Sequence, residues 1–124
     1  MVVEDTPVNL EIVVTLLEDE GYEVITAENG QIALNIVRNE VVDLVLMDCQ
    51  MPVMDGYEAT RQIRNLPGKE QLPILALTAH ALTSDREKCL NAGMNDHITK
   101  PIDFDLLFRK IREWLPSETY ADVK

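Results

Sequence analysis

The sequence predicts an α/β fold in which a parallel sheet is covered by helices on both faces. Five short apolar runs alternate with segments whose apolar residues recur at helical spacing, a pattern typical of repeated βα units. The runs are nearly continuous rather than alternating with polar residues, as expected for parallel strands that are buried on both faces. The predicted strands are Met1–Val3, Val24–Ala27, Leu44–Met47, Ile74–Leu77 and, more weakly, His97–Thr99.

The segments between these runs carry the predicted helices. Helical spacing of apolar residues is clearest in the last segment and in the first, and it is shorter in the second and third. Segment 84–92 is mostly polar, and Gly93 follows it where a helix-terminating glycine belongs. Asn29-Gly30 could close a hairpin, but the helical pattern after it favours the start of a helix. The stripes are Leu10, Val13, Val14 and Leu17; Ala33, Ile36 and Val37; Ala59, Ile63 and Leu66; and Phe104, Leu107, Phe108, Ile111 and Leu115.

Length, composition and charge narrow the class of protein. The 124 residues, 46% hydrophobic and 27% charged, fit one globular domain with its own core. No apolar run exceeds four residues and no leader pattern is seen, so we expect neither a membrane-spanning segment nor secretion. A net charge of −11 argues against direct contact with nucleic acid. Residues 1–62 hold 13 acids and two bases, which suggests a carboxylate-rich site or a solubilising surface.

Two further features concern the cellular compartment of the protein and the bounds of its domain. Cys49 and Cys89 form neither a CxxC pair nor a disulfide framework, so we expect two buried free thiols in a reducing cytoplasm. Residues 116–124 lack periodicity and are expected to be a tail or the start of a linker after a domain at residues 1–115.

Polar residues follow all five predicted strands; Glu28 and Asn29, after the second strand, are expected at the edge of the sheet. In open α/β sheets ligands bind beyond the carboxyl ends of the strands, where Glu4, Asp5, Asp48, Thr78 and Lys100 would meet. Each alone has an ordinary explanation as a cap or surface residue, but together they suggest a site. Two like charges 4 Å apart repel by about 4 kcal/mol at an effective dielectric of roughly 20, so three carboxylates require a compensating cation. Their oxygen ligands favour Mg²⁺, and the added lysine and hydroxyl suit phosphoryl transfer to a carboxylate.

Four stretches carry a resemblance to a known family. They are VVEDTPVN (2–9), LVLMDCQMPVMDGYEATRQIR (44–64), PILALTAHA (73–81) and AGMNDHITKPI (92–102). Over about residues 1–115 the chain resembles the receiver domain of two-component response regulators. The resemblance implies a (βα)5 doubly wound, five-stranded parallel sheet of the flavodoxin-like receiver fold.

The resemblance also implies a role for each site residue. Asp48 would accept a phosphoryl group from a phosphohistidine. Magnesium would be held by Glu4, Asp5, Asp48 and the main-chain carbonyl of Gln50. The phosphoryl group would be bound by Thr78, the main-chain N–H of Ala79 and Lys100, and the Lys100-Pro101 bond would be cis. Such a domain catalyses its own phosphorylation and dephosphorylation without being a turnover enzyme alone.

Two positions depart from the usual pattern of the family. His97 stands where a Tyr or Phe usually follows the phosphorylation state with its rotamer, and an imidazole titrates near neutrality. Glu4 stands where an aspartate is usual, and its longer side chain would still reach a metal, through a water molecule.

The expected partners are a histidine kinase domain, a histidine phosphotransfer domain, or both, with a possible homodimer through the charged last helix. The residues around Cys49 and Thr78 favour a module of a hybrid sensor histidine kinase, with a stand-alone single-domain regulator as the alternative. A distant alternative is an aspartate-nucleophile phosphatase, which needs a second acid at the position of Gln50.

Overall fold

The computed structural model describes residues 1–49, 51, 54–78 and 83–115. Within these ranges five strands alternate with five helices. The strands are β1 (Val2–Val3), β2 (Thr26–Ala27), β3 (Val45–Asp48), β4 (Ile74–Thr78) and β5 (Asp96–Thr99). The helices are α1 (Pro7–Asp19), α2 (Gly30–Asn39), α3 (Gly56–Arg64), α4 (Thr83–Ala92) and α5 (Phe104–Trp114).

All five strands belong to one parallel sheet in the order β2-β1-β3-β4-β5. This order reverses between β1 and β3, as in the flavodoxin-like class of doubly wound sheets, where ligands bind at the point of reversal. The predicted fold class is therefore confirmed, and β1, β3 and β4 are the strands whose carboxyl ends converge there.

Two hydrophobic clusters, one on each face of the sheet, form the core. On β3, Val45 and Met47 join the cluster beneath α2, α3 and α4, whereas Leu46 joins the cluster beneath α1 and α5. On β4 the alternation repeats, with Ile74 on the first face and Leu75 on the second. Because side chains alternate along a strand, an uninterrupted apolar run covers both faces.

Helix boundaries follow local chemistry. The side chains of Asn29, Asp55 and Asp103 accept hydrogen bonds from the backbone N–H groups of the first turns of α2, α3 and α5. Asn29-Gly30 thus begins a helix, as predicted. Gly93 ends α4 with a φ of 107°, a conformation that glycine adopts without strain.

Some boundaries differ from the sequence prediction. The run Val24–Ala27 contributes only two paired residues to β2, because β2 is an edge strand and its one neighbour, β1, is equally short. Asp48 and Thr78 are the last residues of β3 and β4 rather than the first residues after them. No helix in the described ranges is long and apolar enough to cross a membrane.

Candidate functional site

Three carboxylates converge at the carboxyl ends of β1 and β3. These strands are neighbours, with Val3 paired to Met47, so that Glu4 and Asp5 leave β1 beside Asp48 at the end of β3. One carboxylate oxygen from each of Glu4, Asp5 and Asp48 lies within 4.8 Å of the others. The structure therefore brings together the three acids that the sequence predicted.

Lys100 reaches the same cluster from the end of β5. It directly follows β5, and its backbone N–H donates to the carbonyl of Thr78 across 2.7 Å. Its ammonium nitrogen lies 3.3 Å from Oε1 of Glu4 and 3.4 Å from Oδ2 of Asp48. One cation thus contacts two carboxylates, and the Lys100-Pro101 bond that follows is cis, as expected.

Burial of this cluster changes the pKa values of its charged groups. Glu4 and Asp48 expose only 2% and 4% of their surface, whereas Asp5 is exposed. Burial is the main cause that raises the pKa of Glu4 above 4.5, and its hydrogen bond and repulsion with Asp48 add to this. Burial alone would lower the pKa of Lys100, but attraction to Asp48 and Glu4 outweighs it and raises the pKa of the amine. The cluster therefore favours the binding of positive charge, whether as protons or as a cation.

Asp5 lies at the carboxylate cluster and is not the N-cap residue of α1. The N-cap residue of α1 is Thr6, and the backbone N–H of Asp5 donates to Oε2 of Glu4 across 3.1 Å. The exposed Asp5 carboxylate therefore stands at the mouth of the cluster, with Glu4 and Asp48 behind it.

Thr78 lies on the strand next to Asp48. It ends β4, is buried, and is in register with Thr99 of β5, while Asp48 is in register with Leu77. Thr78 and Asp48 therefore lie at the same edge of the sheet. Gln50 and Ala79, expected to offer a carbonyl and an N–H group, lie outside the described residues.

His97 lies on β5 in a polar cluster. Its Nδ1 is 3.9 Å from Oδ1 of Asp96, which also accepts from the Lys110 ammonium across 2.8 Å. Trp114 donates to the other carboxylate oxygen of Asp96. Although burial opposes ionisation, these donors hold the pKa of Asp96 below its usual value. The histidine at the expected switch position therefore sits beside a fixed anion.

The contact between the thiols of Cys49 and Cys89 was not predicted. Cys49 and Cys89 are buried and free, as expected, but their sulfurs lie 3.9 Å apart and join the end of β3 to α4. Burial, with the nearby Cys89 thiol, raises the pKa of Cys49 to about 12, so the thiol is protonated at neutral pH. Forty positions separate the two residues, and no local pattern signals such a contact.

A scan against protein-family models matches residues 1–112 to the response regulator receiver domain. The chain belongs to this family. Sensor protein GacS of Pseudomonas syringae pv. syringae is 48% identical over 115 residues, which are 90% of this chain and 13% of the relative. The receiver thus spans about an eighth of the length of this curated sensor protein.

Two solved structures extend the likeness to three dimensions. The receiver domain of sensor histidine kinase PA1611 from Pseudomonas aeruginosa PAO1, with magnesium in its active-site cleft, is 44% identical with a TM-score of 0.85, covering 91% of this chain and 93% of that one. The Saccharomyces cerevisiae receiver domain of Ssk1, co-crystallised with the histidine phosphotransfer protein Ypd1, is 36% identical with a TM-score of 0.86, covering 91% and 85%.

Proposed function

We propose that this receiver accepts a phosphoryl group on Asp48 from a phosphohistidine. A carboxylate oxygen of Asp48 attacks phosphorus, the P–N bond breaks, and the imidazole leaves with the bonding electron pair and takes up a proton. The observation that carries this proposal is the contact of Lys100 with Glu4 and Asp48 in one crevice. The lysine already balances charge where phosphoryl oxygens would arrive.

The residues present also fit a magnesium ion. Glu4, Asp5 and Asp48 offer three carboxylate oxygens within 4.8 Å of one another, and hard oxygen ligands are those that Mg²⁺ prefers. Bound Mg²⁺ would neutralise charge on the phosphoryl oxygens. We assign the fourth protein ligand to the main-chain carbonyl of Gln50, from the family resemblance.

Thr78 and Lys100 are proposed to hold the transferred group. The buried Thr78 ends the strand beside Asp48, where its hydroxyl would hydrogen-bond a phosphoryl oxygen, together with the N–H group of Ala79. A phosphoryl group adds about 1.5 to 2 negative charges, which Lys100 would pair with. Movement of Thr78 toward this charge, with His97 following, would be the conformational output.

The surface beside the site supports a protein partner. On α1, which begins two residues after Asp5, the apolar side chains of Val8 and Ile12 are 65% and 46% exposed. They are four residues apart and so share one face of this helix. We infer that the partner, a histidine phosphotransfer or histidine kinase domain, covers them with an apolar surface that presents its phosphohistidine to Asp48.

The setting that the relatives favour is a module of a hybrid sensor histidine kinase, and we propose that this module works in the cytoplasm. GacS is a sensor protein several times longer than this chain, and PA1611 is a sensor histidine kinase. In that setting the receiver would pass its phosphoryl group on to a histidine phosphotransfer domain.

Phosphotransfer from a labelled phosphohistidine donor in the presence of Mg²⁺ tests this function. We expect the parent chain and Asp105→Asn, which alters an exposed acid on α5, to take up label equally. Asp48→Asn should take up none. Equal labelling of Asp48→Asn and the parent would overturn the assignment.

A further inference from the structure

A cavity of about 320 Å³ lies at the amino ends of β1, β2 and β3, whereas the carboxylate cluster lies at the carboxyl ends of β1 and β3. Its volume is within the roughly 300–1,000 Å³ that is typical of ligand-binding cavities. This cavity, the amino-end cleft, is lined by Leu17, Val24, Ile25, Leu44 and Ile111, among others. The amino-end cleft is therefore separate from the site proposed above.

The pairing of the strands places the amino-end cleft in line with β1. β1 lies between β2 and β3, and Val2 pairs with Thr26 on one side and with Leu46 on the other. Two residues back along these neighbours are Val24 and Leu44, which both line the amino-end cleft. An extended segment added there would therefore lie beside the chain leading into β2 and the chain leading into β3, and could pair with both.

Backbone groups on both sides of the amino-end cleft can accept such a segment. The carbonyls of Ile25 and Leu44 point toward β1, since they accept hydrogen bonds from the nitrogens of Val2 and Met1, each across 2.8 Å. The N–H group of a strand residue points to the same side as its carbonyl. In the part of the chain that the structure describes, the N–H groups of Ile25 and Leu44 make no backbone hydrogen bond. They are therefore available as donors to an added strand.

The rim of the amino-end cleft is acidic. Segments 18–23 and 40–43 together carry six exposed acids and no lysine or arginine, and Glu23 and Asp43 line the cleft itself. α1 ends within the first of these segments and has no basic residue in its last turn, so the negative end of the helix dipole adds to the same charge. Val41 also lines the cleft and is 86% exposed. Charge complementarity therefore favours an occupant that is apolar and carries positive charge.

We propose that the amino-end cleft holds an extended segment of the parent sensor kinase, outside residues 1–124, which adds to the sheet as a strand in line with β1. The segment presents an apolar side chain to the apolar lining and a lysine or arginine to the acidic rim. It attaches the receiver at one edge of the sheet and leaves the carboxylate cluster open at the other. The origin of the segment rests on the hybrid-kinase setting proposed above, whereas the cleft does not depend on phosphoryl transfer.

The experiment compares the chain of 124 residues with the same chain carrying Lys-Arg-Val-Leu fused before Met1. One matched control carries Gly-Ser-Gly-Ser, which has no apolar side chain, and the other carries Glu-Glu-Val-Leu, which reverses the charge. Amide hydrogen exchange is followed by NMR, and thermal unfolding by circular dichroism.

We expect the Lys-Arg-Val-Leu fusion to slow exchange of the Ile25 and Leu44 amides at least tenfold and to raise the melting temperature by about 4 °C or more. The Gly-Ser-Gly-Ser fusion should change neither quantity. The Glu-Glu-Val-Leu fusion should give less than half of the rise in melting temperature, because its charges meet the acidic rim.

The outcomes separate the parts of the proposal. Unchanged exchange of the Ile25 and Leu44 amides in the Lys-Arg-Val-Leu fusion would overturn the addition of a strand, and equal melting temperatures for the Lys-Arg and Glu-Glu fusions would overturn the basic residue. The free peptide acetyl-Lys-Arg-Val-Leu-amide at micromolar concentration should protect neither amide, because so short a strand needs covalent linkage to stay in place. Protection by the free peptide would assign the cleft to a separate partner instead.

Phosphorylation by acetyl phosphate keeps this inference distinct from the proposed function. All four chains should be labelled equally on Asp48, because the amino-end cleft lies at the opposite ends of the strands. Absence of label in every chain would contradict the proposed function, and the exchange of the Ile25 and Leu44 amides would still decide the question of the cleft.

Discussion

The ammonium nitrogen of Lys100 lies 3.4 Å from Oδ2 of Asp48, at a sheet edge where that carboxylate is almost fully buried. The same nitrogen contacts Glu4, so one lysine neutralises part of a two-carboxylate charge before any metal or phosphoryl group arrives. Lys100 therefore has two opposing effects on the site. It offers a partner to the charge of an incoming phosphoryl group, and it competes with a metal cation for the carboxylates.

Lys100→Met should separate those effects. Without the ammonium, phosphorylation by acetyl phosphate should slow at least tenfold, equivalent to about 1.4 kcal/mol or more of barrier, because developing phosphoryl charge loses its partner. Mg²⁺ affinity should rise, because a competing cation has left the carboxylates. Arg109→Met, which removes an exposed cation on α5, should change neither quantity. A loss of both affinity and rate in Lys100→Met would contradict the roles assigned to the lysine.

Glu4 should make the folding stability of the metal-free protein fall as the pH rises. Its pKa is raised in the folded state, so the folded protein holds this proton to higher pH than the unfolded chain does. Stability is therefore lost as pH rises from the ordinary glutamate range through the raised value. Glu4→Gln should remove this decline and be more stable at neutral pH by on the order of 1 kcal/mol.

Thermal unfolding of parent and Glu4→Gln across pH checks this directly. Added Mg²⁺ should oppose the decline in the parent, by about 1.4 kcal/mol at ten times its Kd, and should do less for Glu4→Gln. Parallel stability curves for the two proteins without metal would show that Glu4 carries no raised pKa.

The exposed face of α1 should affect transfer from a protein donor but not from a small one. Ile12→Glu places a charge in the apolar patch beside Asp5, and we expect phosphotransfer from a histidine phosphotransfer protein to fall at least tenfold, or about 1.4 kcal/mol. The acetyl phosphate reaction should be unchanged, because the site itself is intact. Ile32→Glu, at a similarly exposed residue on α2, is the matched control and should leave both reactions unchanged.

Arg64 is predicted to matter for stability rather than for chemistry. Its guanidinium donates to the carbonyls of Gly93, Lys69 and Leu72 and to Oδ1 of Asn95, which joins the end of α3 to the loops around β4 and β5. Arg64→Ala removes the guanidinium donor from the three carbonyls, whereas Oδ1 of Asn95 keeps the N–H of Ile74, and the change should cost about 2 to 4 kcal/mol.

Arg61, one turn earlier in the same helix, is the control for Arg64. It pairs with Glu58 on the exposed surface, and Arg61→Ala should cost less than about 1 kcal/mol. Denaturant unfolding measures both variants. Equal losses would show that the partly buried hydrogen bonds of Arg64 contribute no more than a surface ion pair.

The comparison of sequence with structure shows which features local patterns encode. Apolar runs ending in Glu4, Asp48 and Lys100 predicted the site, because strand ends in a parallel sheet must meet at one edge. The amino-end cleft and the contact of Cys49 with Cys89 were not predicted, since they depend on how distant segments pack. Neither depends on periodicity or spacing along the chain.

The central claim is that Asp48 is the phosphoryl acceptor in a Mg²⁺-dependent reaction. The most direct measurement is the intact mass of the chain after acetyl phosphate treatment, followed by peptide mapping. The account predicts one added phosphoryl group per chain, located on the peptide that contains Asp48, removed by hydroxylamine and absent when Mg²⁺ is chelated. A phosphoryl group on another residue, or steady release of phosphate with no adduct on Asp48, would contradict it.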